Sequence, residues 1–413
     1  MNQKTKFIPL KELCKNYKKD IVDGPFGSNL KRAHFIDEGV PVLKIQNIKP
    51  FEIIFKKIDY VTPQKAEELD RHSFRRGDII ITKLGLPLGI SAIVENINKG
   101  IIVADLVRVR TDPNKIDTKY LCYHLNSPLT NSFLNSQQRG TTRPRIRISV
   151  VRELPISTPP LEEQKRIVEI LDKAFEGIDC AEANTKKNLA NARELFQSYL
   201  DRSFFQNNSC WNLQKLKDIL SIQPRNGWSP PAKNHSDSGT PVLTLSSVTG
   251  FNFNIKKVKF TNAATKKDAH YWLKNGDFLM TRSNTPELVG HVGICNDLTE
   301  PTICCDLIMK MSIDNKIAET KFIYWYFRTS KLRKLITDSA QGANPTMKKI
   351  NKGIVQNFPV LLPLLEDQRD IIEKIDDFYL ESQKLEKIYQ RKLEALAELK
   401  QSILQKAFTG KLT

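Results

Sequence analysis

Long apolar runs are missing from this sequence: nowhere do about 18 apolar residues follow one another, as a membrane-spanning helix requires. The segment Met1–Cys14 has no apolar stretch of the signal-peptide kind. No membrane association, and a cytoplasmic location, are therefore expected. Cysteine is sparse, with seven residues (Cys14, Cys122, Cys180, Cys210, Cys295, Cys304, Cys305) scattered along the chain. The number is odd and no pair is spaced as CxxC, which argues against a zinc site or a disulfide framework and fits a reducing compartment. Six dispersed histidines form no triad and no metal-ligand set. GxxxxGK[ST], FxGxG-like and HExxH patterns are all absent. The tetrapeptide (D/N/S)PP(Y/F/W) of amino-methyltransferases is absent too. Ser229-Pro230-Pro231 runs into Ala232, where an aromatic ring would have to stack on a flipped base. No catalytic residue and no metal are expected on this chain.

Acidic residues are also in deficit. The 413 residues carry 64 Lys+Arg against 46 Asp+Glu, a formal charge of +18. Such an excess favours a polyanionic partner, most often nucleic acid, although charge alone equally describes many soluble basic proteins. The length suggests two or three domains. At 40% hydrophobic and 27% charged residues, the composition is that of a globular protein with real cores.

What the sequence has in abundance is itself. Gly39-Val40-Pro41-Val42-Leu43 returns as Gly239-Thr240-Pro241-Val242-Leu243, and Gly77-Asp78-Ile79-Ile80-Ile81-Thr82 as Gly276-Asp277-Phe278-Leu279-Met280-Thr281. Ala104-Asp105-Leu106 returns as Cys305-Asp306-Leu307. The offset drifts through these segments, as loops of unequal length require. It then holds at 204: Leu161-Glu162-Glu163-Gln164 matches Leu365-Glu366-Asp367-Gln368, and Gln197-Ser198 matches Gln401-Ser402. A constant offset is what continuous helices demand, because one inserted residue rotates all that follows by about 100°. Four parts result: a globular domain at 1–157, a helix at 158–206, a second domain at 207–360 and a second helix at 361–413.

In the first helix Ile167, Leu171, Ala174, Ile178, Ala181, Thr185, Asn188, Ala192, Leu195 and Tyr199 step by alternating fours and threes, a heptad seam. The same register 204 residues on gives Ile371, Ile375, Phe378, Ser382, Leu385, Tyr389, Lys392, Leu396, Leu399 and Ile403. Polar seam positions such as Thr185, Asn188, Ser382 and Lys392 fix register or mark where partner helices join. Pro159-Pro160 and Pro363 precede the helices and Gly410 follows the second. A helix of about 67 Å cannot bury such a stripe alone. The expected partner is its own copy, in an antiparallel coiled coil that separates the two domains with pseudo-two-fold symmetry. The alternative is one unconnected core helix per domain.

Both domains read as mixed α/β. Strands are expected at Pro41–Ile45, Asp78–Thr82, Ala92–Val94 and Ile101–Val103, and helices at Lys119–Leu134 and Lys321–Ile336. Function belongs in the loops. A glycine-rich turn from Asp23 leads to Ser28, Lys31 and Arg32; its counterpart holds Asn226. After the Gly-Asp strand come Lys83 in one half, Arg282 and Asn284 in the other. The richest segment is 137–147, with Gln138, Arg139, Thr141, Thr142, Arg143, Arg145 and Arg147. Arginine forks onto guanine, glutamine onto adenine, and threonine meets phosphate or a methyl group. The second half offers Gln341, Asn344, Lys348 and Lys349 at the same place. A solvated basic loop is the plainer alternative for each. One scaffold with different side chains suggests two readers of different DNA sequences.

The Pro159–Ile167 segment, its copy at Pro363–Ile371, and the ending Ser402–Leu412 resemble the specificity subunit of type I restriction-modification enzymes, over essentially the whole chain. The resemblance implies an α+β fold in which two target recognition domains are separated by the helix pair. It implies double-stranded DNA as ligand, each domain reading one half of an asymmetric, split site. It implies two methyltransferase subunits and motor-nuclease subunits as partners. S-adenosylmethionine, and ATP with magnesium, would sit on those partners, with no cofactor on this chain. One departure stands out: the loop at 139–147 is far more basic than its copy. Two other classes stay open, a stand-alone bipartite DNA-binding regulator or architectural protein, and an enzyme with an unrecognised site.

Overall fold

The computed structural model describes residues 6–138, 140, 144–206, 210–342, 344 and 346–411. The chain forms two compact units, Met1–Lys186 with Arg391–Thr413, and Lys187–Gln390. Each unit therefore holds one globular domain and a stretch of both long helices.

In the first unit, β1 (Ile21–Asp23), β2 (Ile79–Thr82), β3 (Ser91–Ile93) and β4 (Leu106–Val109) form an antiparallel sheet in the order β1-β4-β2-β3. All four residues of β2 are buried because both faces of the sheet are covered. Ile79 and Ile81 enter one apolar cluster while Ile80 enters another, as the two-residue period of a strand dictates. Gly77, at φ +88°, and Asp78 make the turn into β2: the Asp78 Oδ2 accepts the Arg75 N–H at 2.8 Å. The same carboxylate takes the forked Arg110 guanidinium at 2.8 Å on both arms. A second sheet joins Asp59–Val61, Val40–Leu43, Lys99–Ile102 and Ser73–Arg75.

The second unit repeats this plan with β5 (Leu220–Asn226), β6 (Phe278–Thr281), β7 (Val292–Ile294) and β8 (Ile308–Ile313) in the order β5-β8-β6-β7. Gly276 (φ +90°) and Asp277 rebuild the turn, with the Asp277 Oδ2 accepting Lys274 N–H at 2.8 Å and pairing with Lys310 at 3.0 Å. The repeated Gly-Asp pair is thus a structural turn that enters the central strand.

The helix expected over Lys119–Leu134 is two helices, α1 (Thr118–Leu125) and a second over Pro128–Ser136. Ser127 caps the second and Pro128 occupies its first turn, where proline has no N–H to lose. The copy breaks likewise, into Thr320–Tyr326 and Ser330–Ser339. The long helices are α2 (Leu161–Phe205) and, with Thr320–Tyr326 as α3, α4 (Leu365–Phe408). Gly410 at φ +72°, with the Lys411 N–H bonded to the Lys406 carbonyl at 2.9 Å, closes α4 in a Schellman turn.

α2 and α4 pack together in both units. In the second, Arg193 meets Glu386 at 2.7 Å, the Ser382 hydroxyl donates to the Ala192 carbonyl at 3.4 Å, and Tyr199 stacks on Phe378 at 4.3 Å. Rising numbers on one helix meet falling numbers on the other, so the pairing is antiparallel. In the first, Lys400 bridges Asp179 and Glu182. The C-terminal end of each long helix also completes a domain core. Phe408 packs edge-on to Tyr120 at 5.2 Å and beside His124 at 4.7 Å in the first unit. Phe204 meets Phe322 at 5.0 Å and Tyr326 at 5.5 Å in the second.

Of the expected pairing residues, Ile167, Leu171, Ile178 and Ile375 are buried, and Tyr199, Ile371, Phe378, Leu396 and Ile403 are half-buried. Leu195 (58% exposed), Leu385 and Leu399 instead face solvent. The cause is the mismatch between a strict heptad and a 3.6-residue turn, about 20° per heptad, which adds up to one position over these lengths. After Ala192 the buried stripe of α2 proceeds through Phe196, Leu200 and Phe204 in steps of four. On α4, Leu393 and Lys400 turn inward in place of Lys392 and Leu399. Thr185 and Ser382 are buried, while Asn188 and Lys392 are exposed.

Each unit buries one histidine in its neutral form. The His124 Nε2 accepts the Ser157 N–H at 3.1 Å, and burial pulls its pKa down to about 3. The His291 Nδ1 accepts the Gly250 N–H at 2.9 Å; burial, then the Arg333 charge, lower it to about 4. An N–H can only donate, so neither acceptor nitrogen can take a proton without losing its bond. Unfolded, both rings titrate near 6.5. Below that pH the unfolded chain binds protons that the native chain refuses, so stability falls as pH drops from about 6.5. The expected loss is about 2 kcal/mol per ring at pH 5. Denaturant unfolding at pH 7 and pH 5 measures it, and equal stability at both values would contradict the assignment.

Candidate nucleic-acid interface

Four segments that are distant in sequence meet at one end of the sheet in the first unit. The turn after β1 is drawn onto the start of β4 by the Gly24 N–H, which donates to the Leu106 carbonyl at 3.3 Å. A Cβ on Gly24 would lie 2.2 Å from the Val103 carbonyl carbon, so only glycine permits this approach. The segment after β2 is tied to both neighbours: Lys83 N–H donates to Asp105 O at 2.8 Å, and Ile146 N–H to Lys83 O at 3.0 Å. Gly85 N–H donates to Pro144 O at 3.1 Å.

The second unit assembles the same four segments. Gly227 N–H donates to Ile308 O at 3.0 Å and Trp228 N–H to Cys304 O at 2.7 Å. A Cβ on Gly227 would lie 2.0 Å from the Cys304 carbonyl oxygen. Arg282 N–H donates to Leu307 O at 2.9 Å, and Ile350 N–H to Arg282 O at 2.9 Å. Ser283-Asn284 pairs with Lys348-Lys349 as a short antiparallel ladder, and Gln341 bridges Lys349. The backbone frame is common to both halves; the side chains mounted on it are not.

Within this frame the sequence-derived residues separate. Arg145 is exposed and lies 2.8 Å from Asp105; Arg147 and Gln138 are also exposed. Ser28, Lys31 and Arg32 are exposed on the glycine-rich turn and the short helical turn after it, and the Arg32 charge, after burial, lowers the pKa of Lys44. Arg139, Thr141, Thr142 and Arg143 lie outside the described residues. In the second unit Gln341, Asn344 and Lys349 are exposed. Lys348 donates to the Gly342 carbonyl at 2.9 Å. Arg282 and Asn284 are half-buried, Arg282 reaching the Asp306 carbonyl at 3.4 Å and Asn284 the Thr249 hydroxyl at 3.4 Å. Asn226 is half-buried, at the end of β5.

Lys83 requires a correction. It is 5% exposed, its Nζ lies 2.8 Å from the Asp23 Oδ2, and Phe26 covers it at 5.5 Å. A buried, paired ammonium ties two loops together and is not presented to a phosphate. Asp105 and Asp306 are residues the sequence reading left without a role. Asp105 holds Arg145, and Asp306 bonds to the Ser229 hydroxyl. Their recurrence in the duplicated Asp-Leu pair is the signal that marked them. Trp228 stacks on Tyr271 at 5.1 Å and was also missed, because no copy of it exists in the first half.

Among the described residues no group of three or more His, Cys, Asp or Glu is placed to hold a metal, and no helix is long and apolar enough to cross a membrane. A family model described as the type I restriction modification DNA specificity domain matches residues 3–191 and again 208–395. The chain belongs to this family. Such specificity chains are non-catalytic. It is 25% identical over 329 residues to the type I restriction enzyme MjaVIII specificity subunit of Methanocaldococcus jannaschii, across 76% of this chain and 75% of that protein. It is 25% identical over 307 residues to the EcoKI specificity subunit of Escherichia coli K12, across 71% and 65%. Among solved structures, the HsdS subunit from Thermoanaerobacter tengcongensis matches with TM-score 0.55 at 19% identity, covering 100% of this chain and 98% of that one. A chain from a study of complex assembly and conformational transition of the type I R-M system matches with TM-score 0.73 at 21% identity, covering 98% of each. These two likenesses establish the fold.

The Lys83–Asp23 pair gives a direct test of the frame. Asp23→Ala leaves a buried ammonium without its counter-ion and is expected to destabilise the chain by about 3 kcal/mol. Lys83→Met with Asp23→Leu should recover most of that loss. Denaturant unfolding of the three proteins measures it; an undisturbed Asp23→Ala protein would mean that Lys83 reaches solvent.

Proposed function

We propose that this chain reads a bipartite, asymmetric double-stranded DNA target, one half-site per recognition domain, with the long helices setting the gap, and that it docks methyltransferase subunits in a type I restriction-modification complex. One observation carries the reading: in both units the same four segments converge on the same backbone frame, and the side chains they expose differ. A shared frame with altered side chains suits two readers of unlike half-sites. The net charge of +18 supports DNA as the partner. Outward apolar side chains on the helices, Leu195, Leu380 and Ile388 (56% exposed) in the second unit, are surface that a docked subunit would cover. On this reading S-adenosylmethionine, and ATP with magnesium, belong to the methyltransferase and motor-nuclease partners, this chain carries no cofactor, and the complex works in the cytoplasm.

Two outcomes are expected. Arg143→Ala with Arg145→Ala should weaken DNA binding and lower the slope of log affinity against log salt by about 1 to 2. Binding isotherms at several salt concentrations measure this, and an unaltered slope would mean that neither side chain touches phosphate. Removing seven residues from the middle of each long helix should shorten the gap by about 10 Å, roughly three base pairs, because α-helix rises 1.5 Å per residue. The half-site sequences should stay as they were. Methylome mapping reads both, and an unchanged gap would sink the spacer role.

A further inference from the structure

Two polar side chains near the start of each long helix, a buried glutamine and a half-buried aspartate, bond to the domain that precedes it, and neither is accounted for by DNA reading or by helix pairing. Gln164 is 1% exposed. Its Oε1 accepts the Asp117 N–H at 2.8 Å, and its Nε2 donates to the Pro159 carbonyl at 2.8 Å and the Lys115 carbonyl at 3.5 Å. Asp117 is the N-cap of α1, its carboxylate accepting the Tyr120 N–H at 2.8 Å. Two turns along α2, Asp172 accepts from the Lys119 ammonium and from the Tyr123 hydroxyl, each at 2.6 Å. Burial and the Asp172 charge push the Tyr123 hydroxyl well above its usual pKa, so it stays a donor. α1 is therefore held to α2 at two points.

The second unit repeats both points. Gln368 is 0% exposed; its Oε1 accepts the Glu319 N–H at 2.8 Å and its Nε2 donates to Pro363 O at 3.0 Å and Ile317 O at 3.3 Å. Asp376 takes the Lys321 ammonium at 2.6 Å and the Trp325 Nε1–H at 3.0 Å. A phenol in one half and an indole in the other donate to the corresponding carboxylates, Asp172 and Asp376. The bond is kept while the ring changes, which points to the bond as the function.

Apolar packing is non-directional and would hold a domain on its helix without fixing its angle. Hydrogen bonds weaken steeply away from linearity, so two of them on one helix define a direction. Telling a gap from one a base pair longer requires rejecting about 3.4 Å and about 34° of rotation. We infer that Gln164 with Asp172, and Gln368 with Asp376, are positioning residues that fix the angle of each recognition domain on its own helix and so hold the target gap to a single length. This rests on the bipartite reading proposed above.

The test uses the full chain assembled with its methyltransferase partner on duplexes carrying both half-sites at the native gap, one base pair shorter and one longer. Tyr123→Phe, which deletes one hydroxyl, should raise methylation at the wrong gaps relative to the native gap by roughly fivefold, the worth of one hydrogen bond, and Gln164→Leu, which removes every bond of that amide, by at least as much. Base preference within each half-site should not move. Tyr123→Trp, which restores a donor of the kind found at Trp325, should retain the wild-type gap preference. Wrong gaps rejected as firmly by Tyr123→Phe as by wild type would overturn the clamp while leaving the bipartite reading intact. Base preference degraded as much as gap preference would make these residues merely structural and overturn it too. A wild-type complex indifferent to the gap would overturn both. If Gln164→Leu does not fold, Tyr123→Phe decides alone.

Discussion

A helix of 44 or 45 residues with an apolar stripe must have that stripe covered along its length, and this requirement shapes the whole chain. Neither long helix can meet it from its partner helix alone. Each stripe is covered partly by the other helix and partly by a globular core. Leu171 and Phe175 enter the first core, and Phe196, Leu200 and Phe204 the second. Leu404 and Phe408, from the far end of the chain, enter the first. A recognition domain is thus completed by a helix that is remote in sequence.

The positive charge is divided between structure and surface. Lys83, Arg108, Arg110 and Lys310 are spent within the domains, on carboxylates or on carbonyls. Other cations stay exposed, among them Arg145, Arg147 and Lys349 on the loops that meet at one end of each sheet, where two glycines allow backbones to approach and paired Asp-Leu segments brace the neighbours. The frame is held mainly by bonds that run between backbones. Its side chains are free to vary because few of them hold it together.

Much of this was legible in the sequence. The duplication located both domains, and the constant offset of 204 located helices that run from Leu161 and Leu365. The Gly-Asp pair marked the central strand in both halves. The loops at Ser28, Arg145, Asn226 and Lys348 were singled out by composition, and each belongs to a segment of the converging set or to its continuation. The helix expected across Lys119–Leu134 was overextended, because its apolar period runs on through Ser127-Pro128 while the backbone restarts there.

The sequence by itself determined the repeat, the strand and helix periods and the absence of known catalytic motifs, since each is a matter of spacing along one dimension. Only the tertiary structure decided that Leu195, Leu385 and Leu399 face outward, because which side of a helix is covered depends on how the 3.6-residue turn accumulates against a neighbour. It alone decided that Lys83 is buried while Arg145 is not: both are cations in loops with a carboxylate beside them, and what separates them is the covering that the fold brings over Lys83, the Phe26 ring included. Gln164 and Gln368 stood in plain view as a repeated motif, but their partners, Asp117 and Glu319, are joined to them only by the fold.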